Sequence, residues 1–220
     1  MYKITDILDL EHTRAAELFE GKQYPWEVLS DIKEFILKLG ATLPEDEFTS
    51  PEEGVWIAKD AKVFPTAYIG APAIIDHGAE VRHCAFIRGS ALVGKNCVVG
   101  NSVELKNVIL FDNVQTPHYN YVGDSILGYR AHMGAGSITS NVKSDKTLVC
   151  VKTEDGPIET GRKKFGAILG DFVEVGCNSV LNPGSVIGRN TNIYPLSRVR
   201  GEVPANSIYK DEDNIVEKRQ

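Results

Sequence analysis

Counting in sixes from Ile57 lands on Val63, Ile69, Ile75, Val81, Ile87, Val93, Val99, Leu105 and Phe111, an unbroken apolar series. Two residues before each stands a mostly small partner: Val55, Ala61, Ala67, Ala73, Ala79, Ala85, Ala91, Cys97, Val103 and Ile109. A period of six suits neither the turn of an α-helix nor the simple alternation of a meandering strand. It suits a chain wound into a triangular prism, each short strand forming one wall. The large aliphatic side chain then points inward and the small one fits the tight corner. Three sixes make one coil, so Ile57 stacks on Ile75, Val93 and Phe111, in layers about 4.8 Å apart. A β-sandwich does not hold one phase over such a length.

The phase breaks after Phe111, returns at Leu127 and Met133, breaks again after Thr139 and resumes from Leu169 to Val199. The breaks at 112–126 and 140–166 read as loops. In the longer one, Thr147 to Thr153 reads as a strand, Glu154-Asp155-Gly156 as a turn and Pro157 to Thr160 as a return. Together they make a hairpin projecting from the prism, followed by the basic cluster Arg162-Lys163-Lys164. Loops that interrupt a rigid repeat are where function concentrates.

Ahead of the repeat, residues 1–45 read as helical, with one helix over Thr13–Phe19 and a second from Pro25 to Gly40. The apolar face Val28, Leu29, Ile32, Phe35, Ile36 and Leu39 needs a surface to cover, and the open end of the coil stack near Ile57 is the expected one. The stretch 46–54 reads as a linker, 55–210 as the coiled domain with its hairpin insertion at 140–166, and 211–220 as a tail.

A formal net charge of −6 argues against a general nucleic-acid binder. No apolar run approaches the ~20 residues that span a bilayer, and the N-terminus lacks the pattern of a signal peptide, so no membrane partner is expected. Cys84, Cys97, Cys150 and Cys177 form no CxxC pair, which suits free thiols in a reducing cytoplasm.

Arg88 and Lys106 share one phase on successive coils, and Lys164 can reach them from the hairpin. Three cations near one point suit a phosphate, although each alone also reads as a solvated surface charge. His118 falls in the shorter loop, with Glu104 one coil earlier. A carboxylate bonded to one imidazole nitrogen would fix the tautomer and leave the other as a base; a lone loop histidine is also commonly just exposed.

Three stretches, Gly100–Lys106, His118–Asp124 and Met133–Asn141, resemble the left-handed β-helix acetyltransferase domain of bifunctional enzymes. Those enzymes are glucosamine-1-phosphate acetyltransferases that are also N-acetylglucosamine-1-phosphate uridylyltransferases. The resemblance covers roughly 80–210, and the segment Gly161–Ala167 is most similar to archaeal sugar-1-phosphate nucleotidylyltransferases carrying this domain. It implies an all-β left-handed parallel β-helix with a small N-terminal helical segment, and an acetyl-CoA-dependent N-acetyltransferase acting on an amino-sugar 1-phosphate. His118 falls at the general-base position and Glu104 at the position that orients it. Arg88, Lys106 and Lys164 fall at phosphate positions and Tyr121 at a sugar and phosphate contact. Asn141, Ala135 and Cys177 fall at acetyl-CoA positions. The resemblance also implies a homotrimer with sites between subunits.

His132 stands where the family commonly has an asparagine against the sugar, which leaves the sugar open and a nucleotide-linked amino sugar as an alternative acceptor. No nucleotide-binding α/β domain is legible in the first 45 residues, so a separate nucleotidylyltransferase is a candidate partner. Two other functions compete. A γ-class carbonic anhydrase would need three converging histidines, a spacing that His77, His83, His118 and His132 do not show, so no metal is expected. A non-catalytic sugar-phosphate binder would not need His118 and Glu104.

Overall fold

The computed structural model describes residues 3–219. From Val55 onward the chain winds into a left-handed parallel β-helix of three walls. The first wall holds Val55–Ala58, Ala73–Ile75, Ala91–Val93, 108–110, 125–127, Ala167–Leu169, Ser185–Ile187 and Glu202–Val203. The second runs from Lys62–Val63 through Glu80–Val81, Val98–Asn101, Gln115–His118, His132–Met133, Glu174–Val175 and Asn192–Ile193 to Ser207–Asp211. The third holds Tyr68–Ile69, Phe86–Ile87, 104–105, 121–122, Ile138–Thr139, Val180–Leu181 and Arg198–Val199.

The inward column of the first wall is Ile57, Ile75, Val93, Leu110, Leu127, Leu169, Ile187 and Val203. Leu110, not Phe111, stacks on Val93, a step of 17 residues (93 to 110) rather than 18. The missing residue lies at the corner between third and first walls. Arg88, Gly89 and Ser90 link Ile87 to Ala91 there, but only Lys106 and Asn107 link Leu105 to Val108, and only Gly123 and Asp124 link Val122 to Ser125. Strands Glu104–Leu110 and Tyr121–Leu127 run straight through this shortened corner. The stretch 112–126 is therefore not a loop. A one-residue slip moves each later inward position out of the hexad frame while the coil continues, and Gln115–His118 is an ordinary second-wall strand.

The first wall is apolar on its outer face as well. Its outward residues Ile74, Leu92, Ile109, Ile126 and Ile168 are fully buried, which requires a cover. The N-terminal segment provides it. Helix Ile32–Gly40 turns Ile32, Ile36 and Gly40 onto strands Ala73–Ile75, Ala91–Val93 and Glu104–Leu110. The 3-10 turns of Pro25–Ser30 pack on Tyr121–Leu127. Phe111 sits beneath this strap, edge-on to Phe19 with centroids 6.0 Å apart. Polar ties fix the strap along the prism: Arg14 grips the buried Asp76 at 2.6 and 3.0 Å, the Asp112 N–H donates to His12 O at 2.9 Å, and the Asp171 N–H donates to Ile7 O at 3.1 Å. The expected end cap is thus a lengthwise strap, because the apolar row along the wall offers more surface than the end coil. Its helices are also shorter than expected, with 3-10 turns at Ala16–Phe19 and Pro25–Ser30.

The coil ends are covered by strands instead. Phe48–Glu52, in the expected linker, pairs antiparallel with Val55–Ala58, and Asn214–Glu217, in the expected tail, pairs antiparallel with Ser207–Asp211. Both occupy sheet edges that would otherwise expose unpaired backbone groups. The hairpin Val149–Thr153/Gly156–Arg162 does not project. It lies on Ser185–Ile187 and Glu202–Val203, with Val149 and Val151 buried on the first wall beyond the reach of the strap. Arg162 joins the two covers, donating to Glu27 O at 3.0 Å and Ser30 Oγ at 3.1 Å.

Candidate functional site

The third wall and its two corners carry most of the side chains that the sequence singles out. On its outer face Arg88 and Lys106 occupy successive levels. The Arg88 guanidinium donates to Glu104 Oε1 at 2.7 Å, and this carboxylate raises its pKa further. Lys106 Nζ donates to both oxygens of Asp124, at 2.9 and 3.0 Å. Asp124 is only 4% exposed and also accepts from Asn107 Nδ2 at 3.0 Å and Asn141 Nδ2 at 2.6 Å. Asn107 and Asp124 both have positive φ, 55° and 48°, a conformation that asparagine and aspartate tolerate better than most residues. Tyr121 lies within this group. Burial, then the charges of Asp124 and Glu104, push its phenol pKa up, so it stays a hydrogen-bond donor.

A second column stands at the corner between second and third walls. His118 pairs with Asn101 one coil earlier, and the N–H groups of Gly136 and Asn178 donate to the carbonyls of His118 and Ala135 at 3.0 and 2.8 Å. His118, Ala135 and Cys177 are therefore stacked on successive coils, about 4.8 Å per level. His118 and Cys177 are exposed and Ala135 is half-buried. Among the described residues the Ala135 N–H donates no hydrogen bond. The corner is braced from inside by Asn120, which is 2% exposed. Asn120 Oδ1 accepts from the His118 N–H at 3.2 Å, and its Nδ2 donates to Gly134 O at 2.8 Å and Ser137 O at 3.1 Å.

Several expected partnerships are absent. The Glu104 carboxylate faces Arg88, and no contact joins it to the His118 ring among the described residues. Lys164 is exposed, while Arg88 and Lys106 are paired with Glu104 and Asp124. Asn141 belongs to the corner of Lys106 rather than to that of Ala135 and Cys177. His132 stands on the second wall, its Nδ1 2.7 Å from Glu174 Oε2, in a shallow groove with Asn113, Gln115 and Arg130. Asp124, Asn107 and Asn120 escaped the sequence reading. The shortened corner at 106–107 and 123–124 was the signal for the first two, but it reads as a phase break further along the chain.

Among the described residues no group of three or more His, Cys, Asp or Glu side chains is placed to hold a metal ion. Nor is any helix long and apolar enough to cross a membrane. All four cysteines are free, and burial raises the pKa of Cys97.

The family model of the GMPPB C-terminal domain matches residues 69–182, just over half of the chain. The bifunctional protein GlmU of Methanococcus maripaludis (strain C7) is 35% identical over 118 residues, 53% of this chain and 28% of that protein. The bifunctional sugar-1-phosphate nucleotidylyltransferase/acetyltransferase of Sulfurisphaera tokodaii is 34% identical over 108 residues, 49% of this chain and 27% of that protein. The chain thus spans little more than a quarter of these relatives. A solved acetyltransferase domain of PglB from Neisseria gonorrhoeae FA1090, in complex with acetyl coenzyme A, matches with a TM-score of 0.27 and 13% identity, over 74% of this chain and 57% of that one.

Proposed function

We propose an activity from the premise that this chain belongs to the family of the GMPPB C-terminal domain: it transfers the acetyl group of acetyl-CoA to the amine of an amino-sugar 1-phosphate. The observation that carries the reading is the third wall itself, which sets Arg88 and Lys106 at one of its corners and the column His118–Ala135–Cys177 at the other. The cations suit an acceptor phosphate: Arg88 keeps guanidinium donors beyond the one used by Glu104, and Lys106 keeps one of its three after both oxygens of Asp124 are served. His118, exposed and without a side-chain partner among the described residues, is free to receive a proton.

In the reaction the neutral amine attacks the thioester carbonyl carbon and a C–N bond forms. His118 takes the amine proton, the C–S bond breaks, and coenzyme A leaves as the thiol after reprotonation. The tetrahedral oxyanion needs a donor, and the unengaged Ala135 N–H one level from His118 is suited to it. Cys177 then lines the thioester groove without acting as nucleophile. Glu104 serves the phosphate side by orienting Arg88. Assembly as a homotrimer and a cytoplasmic setting belong to the same proposal, as does a separate nucleotidylyltransferase partner, an activity that one relative's name pairs with acetyl transfer.

A nucleotide-linked amino sugar is the second reading. Tyr68 and Phe86, 59% and 43% exposed, lie next to each other on the third wall below Arg88 and offer rings to a nucleobase. Thiol release from acetyl-CoA with a panel of amino-sugar 1-phosphates and UDP-amino sugars tests both. Turnover confined to the 1-phosphates supports the first reading, turnover confined to the UDP-sugars supports the second, and no release with any acceptor refutes the activity.

A further inference from the structure

We propose that Asp124 is the positioning residue of this site, holding Lys106 and Asn141 in place through one buried carboxylate. The inference rests on the acetyl-transfer reading for its kinetic consequences and on geometry alone for its existence. Asp124 is nearly sealed from solvent, and its oxygens accept from Lys106 Nζ at 2.9 and 3.0 Å, Asn107 Nδ2 at 3.0 Å and Asn141 Nδ2 at 2.6 Å. A buried carboxylate is stable only when so paired, and its partners lose their freedom in return. A lysine side chain otherwise samples many rotamers, which weakens it as a ligand for a phosphate at a fixed place. With both oxygens of Asp124 engaged, the remaining ammonium donor of Lys106 has a fixed direction.

Asp124 is itself held from three sides. Gly166 N–H donates to the Asp124 carbonyl at 2.8 Å where the chain returns from the hairpin. Asn107 donates to Leu29 O at 3.0 Å as well as to Asp124, which ties the network to the strap. The corner is one residue shorter here than at Arg88–Ser90, so Asp124 lies beside Lys106 and Asn107 on the adjacent coil. Asp124 touches no acceptor and carries no proton in the reaction. Its role is exerted on the acceptor side through Lys106, with Asn141 held at the same corner.

The test compares wild type with Asp124→Asn, alone and combined with Lys106→Ala. Asp124→Asn should raise the acceptor KM about tenfold or more, the loss of a charge-assisted hydrogen bond, with kcat within about threefold. In the Lys106→Ala background the acceptor KM should not rise again. Unchanged KM values, loss of kcat alone, or additive effects would overturn the role. Lysine labelling of the wild-type protein, read by mass spectrometry, needs neither turnover nor a folded variant. Lys106 should label at least about tenfold slower than the exposed Lys164. Equal labelling removes the Asp124 lock. Slow labelling in a protein that turns over no acceptor keeps the lock and removes the acetyl-transfer reading instead.

Discussion

Ile36→Ala tests the strap. Ile36 is fully buried on helix Ile32–Gly40, which lies across three strands of the first wall. Truncation leaves a void between helix and sheet that neither rigid element can close. The cost of such a deletion is about 2–5 kcal/mol. For a chain of this size each kcal/mol lowers the melting temperature by about 2–4 °C, so the fall should be roughly 4–20 °C. Glu34→Ala, on the exposed face of the same helix, is the control and should stay within about 0.5 kcal/mol of wild type. Thermal unfolding followed by circular dichroism reads both. KM values for Ile36→Ala below its transition should match wild type, because Ile36 contacts the first wall and not the third. A melting temperature equal to that of Glu34→Ala would refute the claim that the strap seals the apolar outer row.

Gly40→Ala should cost about 1–3 kcal/mol, since an added Cβ would overlap the Trp56 ring on which the helix end rests; a melting curve checks it. Arg88→Ala and Lys106→Ala should each raise the acceptor KM about tenfold to a hundredfold with little change for acetyl-CoA, and loss of coenzyme affinity in both would reverse the assignment. Sedimentation at micromolar concentration should give a trimer, and a stable monomer would remove sites shared between subunits.

The repeat was legible because burial imposes it. From Ile75 to Leu105 each inward slot is filled by an aliphatic at a spacing that no other fold needs. The slip to 17 was not legible as a slip. Phe111 is apolar and keeps the hexad count for one more step, although it faces Phe19 while Leu110 takes the core. The outer apolar row Ile74, Leu92, Ile109 and Ile126 was present in the sequence, but an outward aliphatic within a repeat looks like any other until its wall is known. Arg88 and Lys106 were found because coil stacking makes phase equivalent to place, and Tyr121 through the resemblance. Asp124 was missed because the shortened corner, which the hexad count does not show, sets it against Lys106 and Asn107, and Asn120 because it bonds backbone groups inside a corner. Glu104 was paired with His118 from its place one coil earlier and by the resemblance, whereas in the structure its carboxylate meets Arg88.

The most direct test of acetyl transfer at this corner is kcat for His118→Ala from pH 6 to 9, beside a melting curve. The acceptor amine attacks only when neutral, and a positioned base contributes about 10²–10⁴-fold, so kcat near neutrality should fall by that order. The deficit should shrink toward pH 9, where solvent removes the amine proton unaided. His118 is exposed and its side chain supports no packing, so the melting temperature should be unchanged. Turnover within a few fold of wild type at every pH would contradict the account and take His118 out of the mechanism.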